Sequence, residues 1–444
     1  MSDLKSPCWR GARARLMVVG LLMLLSLGVA DQVAVWLGRH RERIATDRLR
    51  KRGMPVASRD LARTIGSGED GTATLRQAAE LVYPYTPAEG AFLAQLAKLV
   101  RAGDREVRPE QLAIAEAVAS WNHRALELAQ SVAATQRVQF IVDYETTLRG
   151  GLPDAEQLPL RHLDGVDDAV ERLCDAALGR AYLELARSQG ALALRDALLA
   201  VTIARLLCHD RTLLSHGAMQ HLCLNALPCI EMILESGALD CDAELWGAAS
   251  SVLASLDERE SLARALETEA VLAILRVRRS SREGGLWRRV GEWSYRRWLE
   301  PRDKAALILG IDRLCAAIRE HEERGLAMEV GDCADAVAQS AWDPWVRHEP
   351  FRRYVFEVEH ELAFRERVRV ARVAAAVQLY ATRRKRAPPS VEALVRHGFL
   401  TAVPAAPSGT PVRVSIVRPT EGDQLVRVEG DHRALTVRVR AENR

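Results

Sequence analysis

Aromatic residues are scarce: phenylalanine, tryptophan and tyrosine make up 5% of the 444 residues, against 48% hydrophobic residues overall. A chain poor in rings and dominated by alanine, leucine and arginine suits close-packed helices better than a β-sandwich. There is little net charge. The 62 basic and 59 acidic residues leave +3 and alternate along the chain as on solvated helix faces, so no global field draws nucleic acid and none is expected as a partner. Paired cysteine spacing is also missing. Cys8, Cys174, Cys208, Cys223, Cys229, Cys241, Cys315 and Cys333 lie scattered without a CxxC. In a chain of this size that is no disulfide framework, and buried free thiols are expected.

Catalytic signatures are equally thin. No G-x-S-x-G elbow nominates a serine. His360-Glu361 is followed by Leu-Ala-Phe, so it is no zincin. GSGEDG (66–71) fits G-x-G-x-x-G, but LARTI before it is a poor strand, and Glu69 and Asp70 would repel phosphate; a loop is expected. The carboxylate pairs Glu322/Glu323 and Asp332/Asp335 have no histidine or nucleophile beside them. No catalytic residue and no cofactor is nominated.

What the chain does have begins at the N-terminus. Leu16 to Ala30 is an unbroken apolar or small run behind Lys5, Arg10, Arg13 and Arg15. Gly28-Val29-Ala30 is a small-x-small cleavage site, which favours a removed signal. Val33 to Leu37 resumes the run, giving a span of about 22 residues with Trp36 at headgroup level, which favours an anchor. A retained anchor is the expectation, with the N-terminus in the cytoplasm and the bulk on the periplasmic side. The resulting organisation is a basic tail (1–15), a transmembrane anchor (16–37), a juxtamembrane helix and linker (38–70), a helical domain (71–349), and a long helix with a β-capped tail (350–444).

The fold class expected is mainly α, an irregular helical-pair bundle or solenoid with a small α+β C-terminal module. Thr72 or Thr74 is read as capping one helix, and Pro109 as opening another. Gly190 divides an antiparallel pair, and Asp210 is read as capping the helix that follows. That next helix carries Pro228 and ends at Gly237. Further helices are expected at 242–256, 259–280, 286–299, 302–324 and 350–384. Breaks are expected at 280–285 and 341–350, and an extended or loop segment at 138–154.

Two clusters compete for function. In CHDRTLLSHGAMQHLC, His209, His216 and Cys223 fall seven residues apart, with His221 and Cys229 nearby. Imidazole and thiolate suit zinc, making His216, His221 and Cys223 metal candidates beside the plainer reading of core cysteines and partly exposed histidines. LWRRVGEWSYRRWLEPR (286–302) interleaves Trp287, Trp293, Tyr295 and Trp298 with Arg288, Arg289, Arg296 and Arg297. Such a helix meets a membrane interface or a protein partner; alternatively its tryptophans fill a core while its arginines snorkel outward.

The tail VQLYATRRKR, Pro388-Pro389, SVEALVRHGF, VPAAPSGTPVRV and two alternating strands resembles the C-terminal module of type II secretion major pseudopilins. Leu379, Tyr380, Pro388, Ser390, Glu392, Leu394, Val395, Val403, Pro404, Pro407, Gly409 and Pro411 match that order. Ala387 and Ala406 stand where the usual tyrosine and aspartate would, which weighs against the calcium site that such tails often hold. The N-terminus lacks the prepilin pattern. The order of blocks along the chain (anchor, LRKRGMPVASRDLA, helical middle, tail) is similar to uncharacterised membrane-anchored helical proteins of planctomycete-type bacteria. That resemblance implies an architecture and an envelope location. The function expected is a non-enzymatic interaction or scaffold module with envelope protein partners. The alternatives are an accessory of a type II secretion or pilus-like assembly, and a hydrolase or metalloprotein using the 209–229 neighbourhood.

Overall fold

A computed structural model describes residues 8–56, 60, 70–83, 89, 96, 98, 109–135, 138, 158–210, 212–237, 240–277, 295–320, 323–341, 344–420 and 423–440. The apolar run and the basic stretch after it join in one helix, α1 (Cys8–Lys51), because nothing breaks them until Gly53 turns left-handed at φ +73° and Pro55 follows. Next come α2 (Thr72–Glu80), α3 (Pro109–Trp121), α4 (His123–Thr135), α5 (Leu158–Ala186) and α6 (Gly190–Arg205). A 3₁₀ turn (Leu206–Asp210) leads to α7 (Leu213–Ser236), α8 (Ala243–Leu256) and α9 (Arg259–Val277). A π-type turn (Tyr295–Leu299) opens α10 (Glu300–Glu320), followed by α11 (Glu323–Ser340), α12 (Pro344–Arg384) and the short α13 (Val391–Arg396). The chain ends in β1 (Arg413–Thr420), β2 (Asp423–Glu429) and β3 (Ala434–Arg440).

Helices pair with their chain neighbours, α5 with α6, α6 with α7, α9 with α10, α10 with α11 and α11 with α12. The exceptions organise the whole: α12 also lies along α8, and α1 along α10. Two apolar cores result. One gathers residues from α2 to α8, the second half of α12 and the sheet, with Leu173, Leu194, Trp246 and Tyr380 fully buried. The other joins the end of α1 to α9, α10, α11 and the start of α12 through Leu49, Leu266, Ile311, Val330 and Val358. α12 serves both, Tyr354 and Val358 in one and Phe364 to Tyr380 in the other. The sheet is an antiparallel meander in the order β1-β2-β3. Its period of two buries Val426, Val428, Val437 and Val439 against α7 and α12 and leaves Arg427 and Arg438 outside.

Several expectations need correction. Thr212, not Asp210, caps α7, its hydroxyl accepting from Ser215 N at 3.0 Å, since Asp210 still belongs to the 3₁₀ turn. Gly71 caps α2, where Asp70 accepts from the Thr72 amide at 2.9 Å. The helix expected at 302–324 ends at Glu320, the chain from 325 to 340, unassigned by periodicity, belongs to α11, and the break at 341–350 closes early because Pro344 opens α12. Helix hairpins need no breaker when both arms find an apolar partner. Residues 66–69 of the loop expected at 66–71, residues 139–154 of the extended segment and the break at 280–285 lie outside the described residues.

Gly237 ends α7 at φ +63°, and a Cβ there would lie 2.5 Å from the Arg438 carbonyl oxygen of β3. Gly398 has φ +74° and open space around its Cβ position. Both pay for a left-handed side chain, but only the first collides with backbone. Gly398→Ala should cost about 1 kcal/mol and Gly237→Ala roughly 3 kcal/mol, measured by urea unfolding in detergent.

Candidate functional site

Among the described residues, the stretch 17–30 of α1 is left uncovered. Met17, Leu21, Leu24, Leu27 and Val29 are all exposed, and the exposed apolar surface continues through Val33, Trp36 and Leu37. The segment is long and apolar enough to cross a membrane, a test that a signal sequence also passes. Contact with the body starts at Asp31. Its carboxylate accepts from Arg297 Nε at 3.2 Å and from the Trp298 indole N–H, both in the π-type turn. One helical span further on, Gly38 lets α1 approach α10 closely, a Cβ there standing 3.5 Å from Pro301 Cβ. Ala45 and Leu49 then bury themselves against α10. Asp312 of α10, itself buried, is met by Arg52 Nη1 at 2.8 Å, with Arg48 Nε ion-paired 2.8 Å from its other oxygen. Lys304 pairs with Glu300 and lies 4.0 Å from Glu42 of α1.

Among the basic-aromatic candidates, Arg296, Arg297 and Trp298 therefore sit where α1 leaves its exposed stretch. Arg297 is spent on Asp31, whereas Arg296 and Trp298 are exposed. Trp287, Arg288, Arg289 and Trp293 lie outside the described residues. On α1 itself Trp36 stacks on His40 with ring centres 5.0 Å apart, and Arg39, Arg41 and Arg43 are exposed one to two turns on. Indole rings followed by arginines along one helix form an interfacial pattern.

The second constellation is buried where the two cores meet. Arg365 and Arg369 stand one turn apart on α12. Arg365 donates to Asp257 Oδ1 at 2.9 Å and to the Asp257 carbonyl at 2.9 Å, and reaches Glu323 at 2.7 Å. Arg369 bridges the same two carboxylates, donating to Asp257 Oδ2 at 2.9 Å and Glu323 Oε1 at 2.7 Å, and adds the Ala405 carbonyl of the tail at 2.7 Å. Burial pulls the Arg369 pKa down, while its bonds to Glu323 and Asp257 hold it above the ordinary value. One turn earlier Glu361 accepts from His216 Nε2 at 2.9 Å and from the Gln220 amide, and His360 Nδ1 donates to Gln220 Oε1 at 3.1 Å. His216 Nδ1 lies 3.2 Å from Ser261 Oγ, which donates to Cys208 Sγ at 3.4 Å.

Ser261, His216 and Glu361 thus form a hydroxyl–imidazole–carboxylate series that no sequence motif announced. The charge state decides its chemistry. Burial lowers the His216 pKa, yet its contacts with Cys208 and Glu361 and the Glu361 charge push it up to about 10. An imidazole already protonated at neutral pH donates on both sides and cannot take the Ser261 proton. Protonated His216 with Arg365 and Arg369, and Arg259 at 3.6 Å from Glu323 on the more exposed side, offsets the charges of Glu361, Glu323 and Asp257, which is what allows these ions to be buried together.

The three metal candidates are not brought together. His216 is buried on Glu361; His221 is exposed, with the Asn225 amide at 3.5 Å; Cys223 is buried beside Met219. Positions 216 and 223 share a face of α7, but 221 falls about 140° away from 216 at 100° per residue. Burial pushes the Cys223 thiol far up, so it stays protonated. Among the described residues no group of three His, Cys, Asp or Glu side chains is placed to hold a metal. Cys174, Cys208, Cys223, Cys229, Cys241, Cys315 and Cys333 are free, Cys208 partly covered and the other six buried. The seam did leave a trace in the sequence: Glu361, Arg365 and Arg369 recur at four-residue spacing on one face of α12, among Val358, Phe364 and Val368, a charged stripe inside an apolar helix.

Removing one member strands the rest. Arg369→Met should cost about 3–5 kcal/mol because Glu323 and Asp257 lose a buried partner, read as a shift in the urea midpoint. His216 has a folded pKa above the unfolded value of about 6.5. Its contribution is therefore complete below about pH 6.5 and is lost as pH rises through about 10. Stability measured from pH 6 to 10 should fall more steeply in the unsubstituted protein than in His216→Gln.

In comparison with known protein families, curated proteins and solved structures, the chain matches none at a significant level.

Proposed function

We propose that this chain is a single-pass membrane-anchored scaffold, its body on the periplasmic side of a bacterial envelope, presenting stacked helix pairs to other envelope proteins and catalysing nothing itself. One observation carries the reading: α1 is a single helix whose stretch 17–30 is largely apolar and exposed, while its later residues Ala45 and Leu49 are built into a core. An apolar cylinder of that length finds a favourable solvent only in lipid. The Asp31, Lys304 and Asp312 contacts tie it to the body as a stiff mount. Where a removed signal leaves a flexible start, this helix continues without a joint. The His216 neighbourhood does not enter the proposal, since its imidazole is committed to Glu361.

The tail favours a second reading, an accessory of a type II secretion or pilus-like assembly. In support, a long helix (α12) runs into a short turn-helix (α13) and a three-strand meander packed back on it, the order found in the pseudopilin module. Asp431 is already engaged there, accepting from the Ser408 amide at 2.9 Å and hydroxyl at 2.7 Å.

Alkaline carbonate extraction, N-terminal sequencing and a reporter fused after Arg444 test the anchor. The expected result is a chain that stays in the pellet, begins near Met1 and reports outside the cytoplasm. A soluble chain beginning at Asp31 overturns it. Affinity capture of the tail-deleted and full chains separates the two readings, because only the second expects secretion components to disappear with the tail.

A further inference from the structure

Between α4, α5 and α6 lies an open cavity of about 400 Å³, none of whose lining residues belongs to α1 or to the charged seam. A volume of that order is usual for small-molecule clefts. Its lining follows from the α5–α6 hairpin. The chain reverses over 187–189, so the two helices run antiparallel. Arg180 marks one level, donating from Nε to Asp196 Oδ2 at 2.6 Å and from Nη2 to the other carboxylate oxygen. One turn nearer the reversal, about 6 Å at 1.5 Å per residue, Glu184 of α5 stands level with Leu192 of α6. Leu192, Arg195, Asp196 and Leu199 follow the spacing of a single helix face. Gln130 of α4 completes the lining.

The Arg180–Asp196 pair satisfies itself, and the other polar groups do not. The Glu184 side chain is 13% exposed, and its Oε2 is buried without a hydrogen-bond partner. Arg187 stays 3.9 Å from Glu184 Oε1, beyond hydrogen-bond reach, and instead meets Glu116 of α3 at 2.8 Å. Burial raises the Glu184 carboxyl above its ordinary value, Arg187 and Arg180 opposing and Asp196 adding to the rise. A carboxylate so placed gains from any cation brought to it. Arg195 and Gln130 are exposed, and among the described residues neither makes a hydrogen bond or an ion pair. The two arginines and two carboxylates of the lining balance, so an occupant with one net charge would upset them, whereas one carrying both signs suits both. Leu192, 43% exposed, adds an apolar surface on the face that carries Arg195.

We propose that this cavity binds a free α-amino acid with an apolar side chain. Its ammonium lies on Glu184 and the Gln130 carbonyl, and its carboxylate on Arg195, whose paired N–H donors match the two oxygens. The side chain covers Leu192 and Leu199, removing their apolar surface from water. A peptide supplies the two charges only at opposite ends, whereas a free amino acid holds them on one carbon. Such a ligand lies beyond the scaffold reading and requires neither the anchor nor any depth in a membrane.

The test is equilibrium dialysis of the full chain in detergent against tritiated L-leucine, competed by N-acetyl-L-leucine, which lacks the ammonium, or by L-leucinamide, which lacks the carboxylate. The expected result is saturable binding of one L-leucine per chain, with each analogue competing at least about tenfold more weakly than unlabelled L-leucine, the loss that follows from one charge-assisted hydrogen bond. Glu184→Gln and Arg195→Gln should each weaken L-leucine by a similar factor. Thermal unfolding, followed in parallel, should stay unchanged in Arg195→Gln and unchanged or higher in Glu184→Gln, because neither side chain has a hydrogen bond to lose; weakened binding is then a property of the site and not of the fold. No saturable binding up to about 1 mM, competition by either analogue as strong as by L-leucine, or unaltered affinity in either variant overturns the site.

Discussion

Two arginines one turn apart on α12 hold together parts of the chain that lie far apart in sequence. Arg365 and Arg369 reach Asp257 at the corner between α8 and α9, Glu323 at the start of α11, and the Ala405 carbonyl of the tail. Each of these is a helix corner or a loop, where unpaired backbone groups gather and apolar packing is thinnest. Guanidinium groups suit the task because one planar fork can serve two carboxylates and a carbonyl at once. The cost of burial is met by charge balance, and His216 completes it by remaining protonated against Glu361.

The rest of the architecture follows from where that seam lies. Above and below it the helices meet through ordinary apolar surfaces, so the two cores are separate clusters that share α7 and α12. Leu213 and Met219 of α7 fall on opposite sides of His216, as Val358 and Phe364 of α12 do of Glu361. Sliding either helix by one turn would place a charge in each core. A polar layer between two apolar ones therefore sets register more strictly than apolar packing alone, which tolerates exchange and repacking.

At the other end of the second core, polar contacts again set position. Asp31, Lys304 and Asp312 mark successive heights along the line where α1 meets α10, while Ala45 and Leu49 supply the buried surface. The exposed apolar half of α1 thereby continues a packed helix, and its direction relative to the body is inherited from α10. The π-type turn contributes by holding Trp298 and Arg297 against Asp31.

Much of this was legible in the chain itself. The apolar run, the amphipathic repeats, Pro109, Gly190 and Gly237 state the helices, and alternating valine and arginine state the sheet, because each depends only on neighbours in sequence and on a period of 3.6 or 2. Thr212 as a cap and α11 as a helix were missed where local signals were weak and packing decided. The seam was hidden for a stronger reason. A helical period tells which face a residue occupies and nothing about which distant face it meets, and Glu361 meets His216 across 145 residues. So the sequence by itself determined a mostly helical chain with one membrane-length apolar helix and a β-capped tail. Only the tertiary structure decided that His216 meets Glu361, and that Asp31 receives Arg297 and Trp298, because both outcomes depend on burial and on partners that local periodicity does not encode.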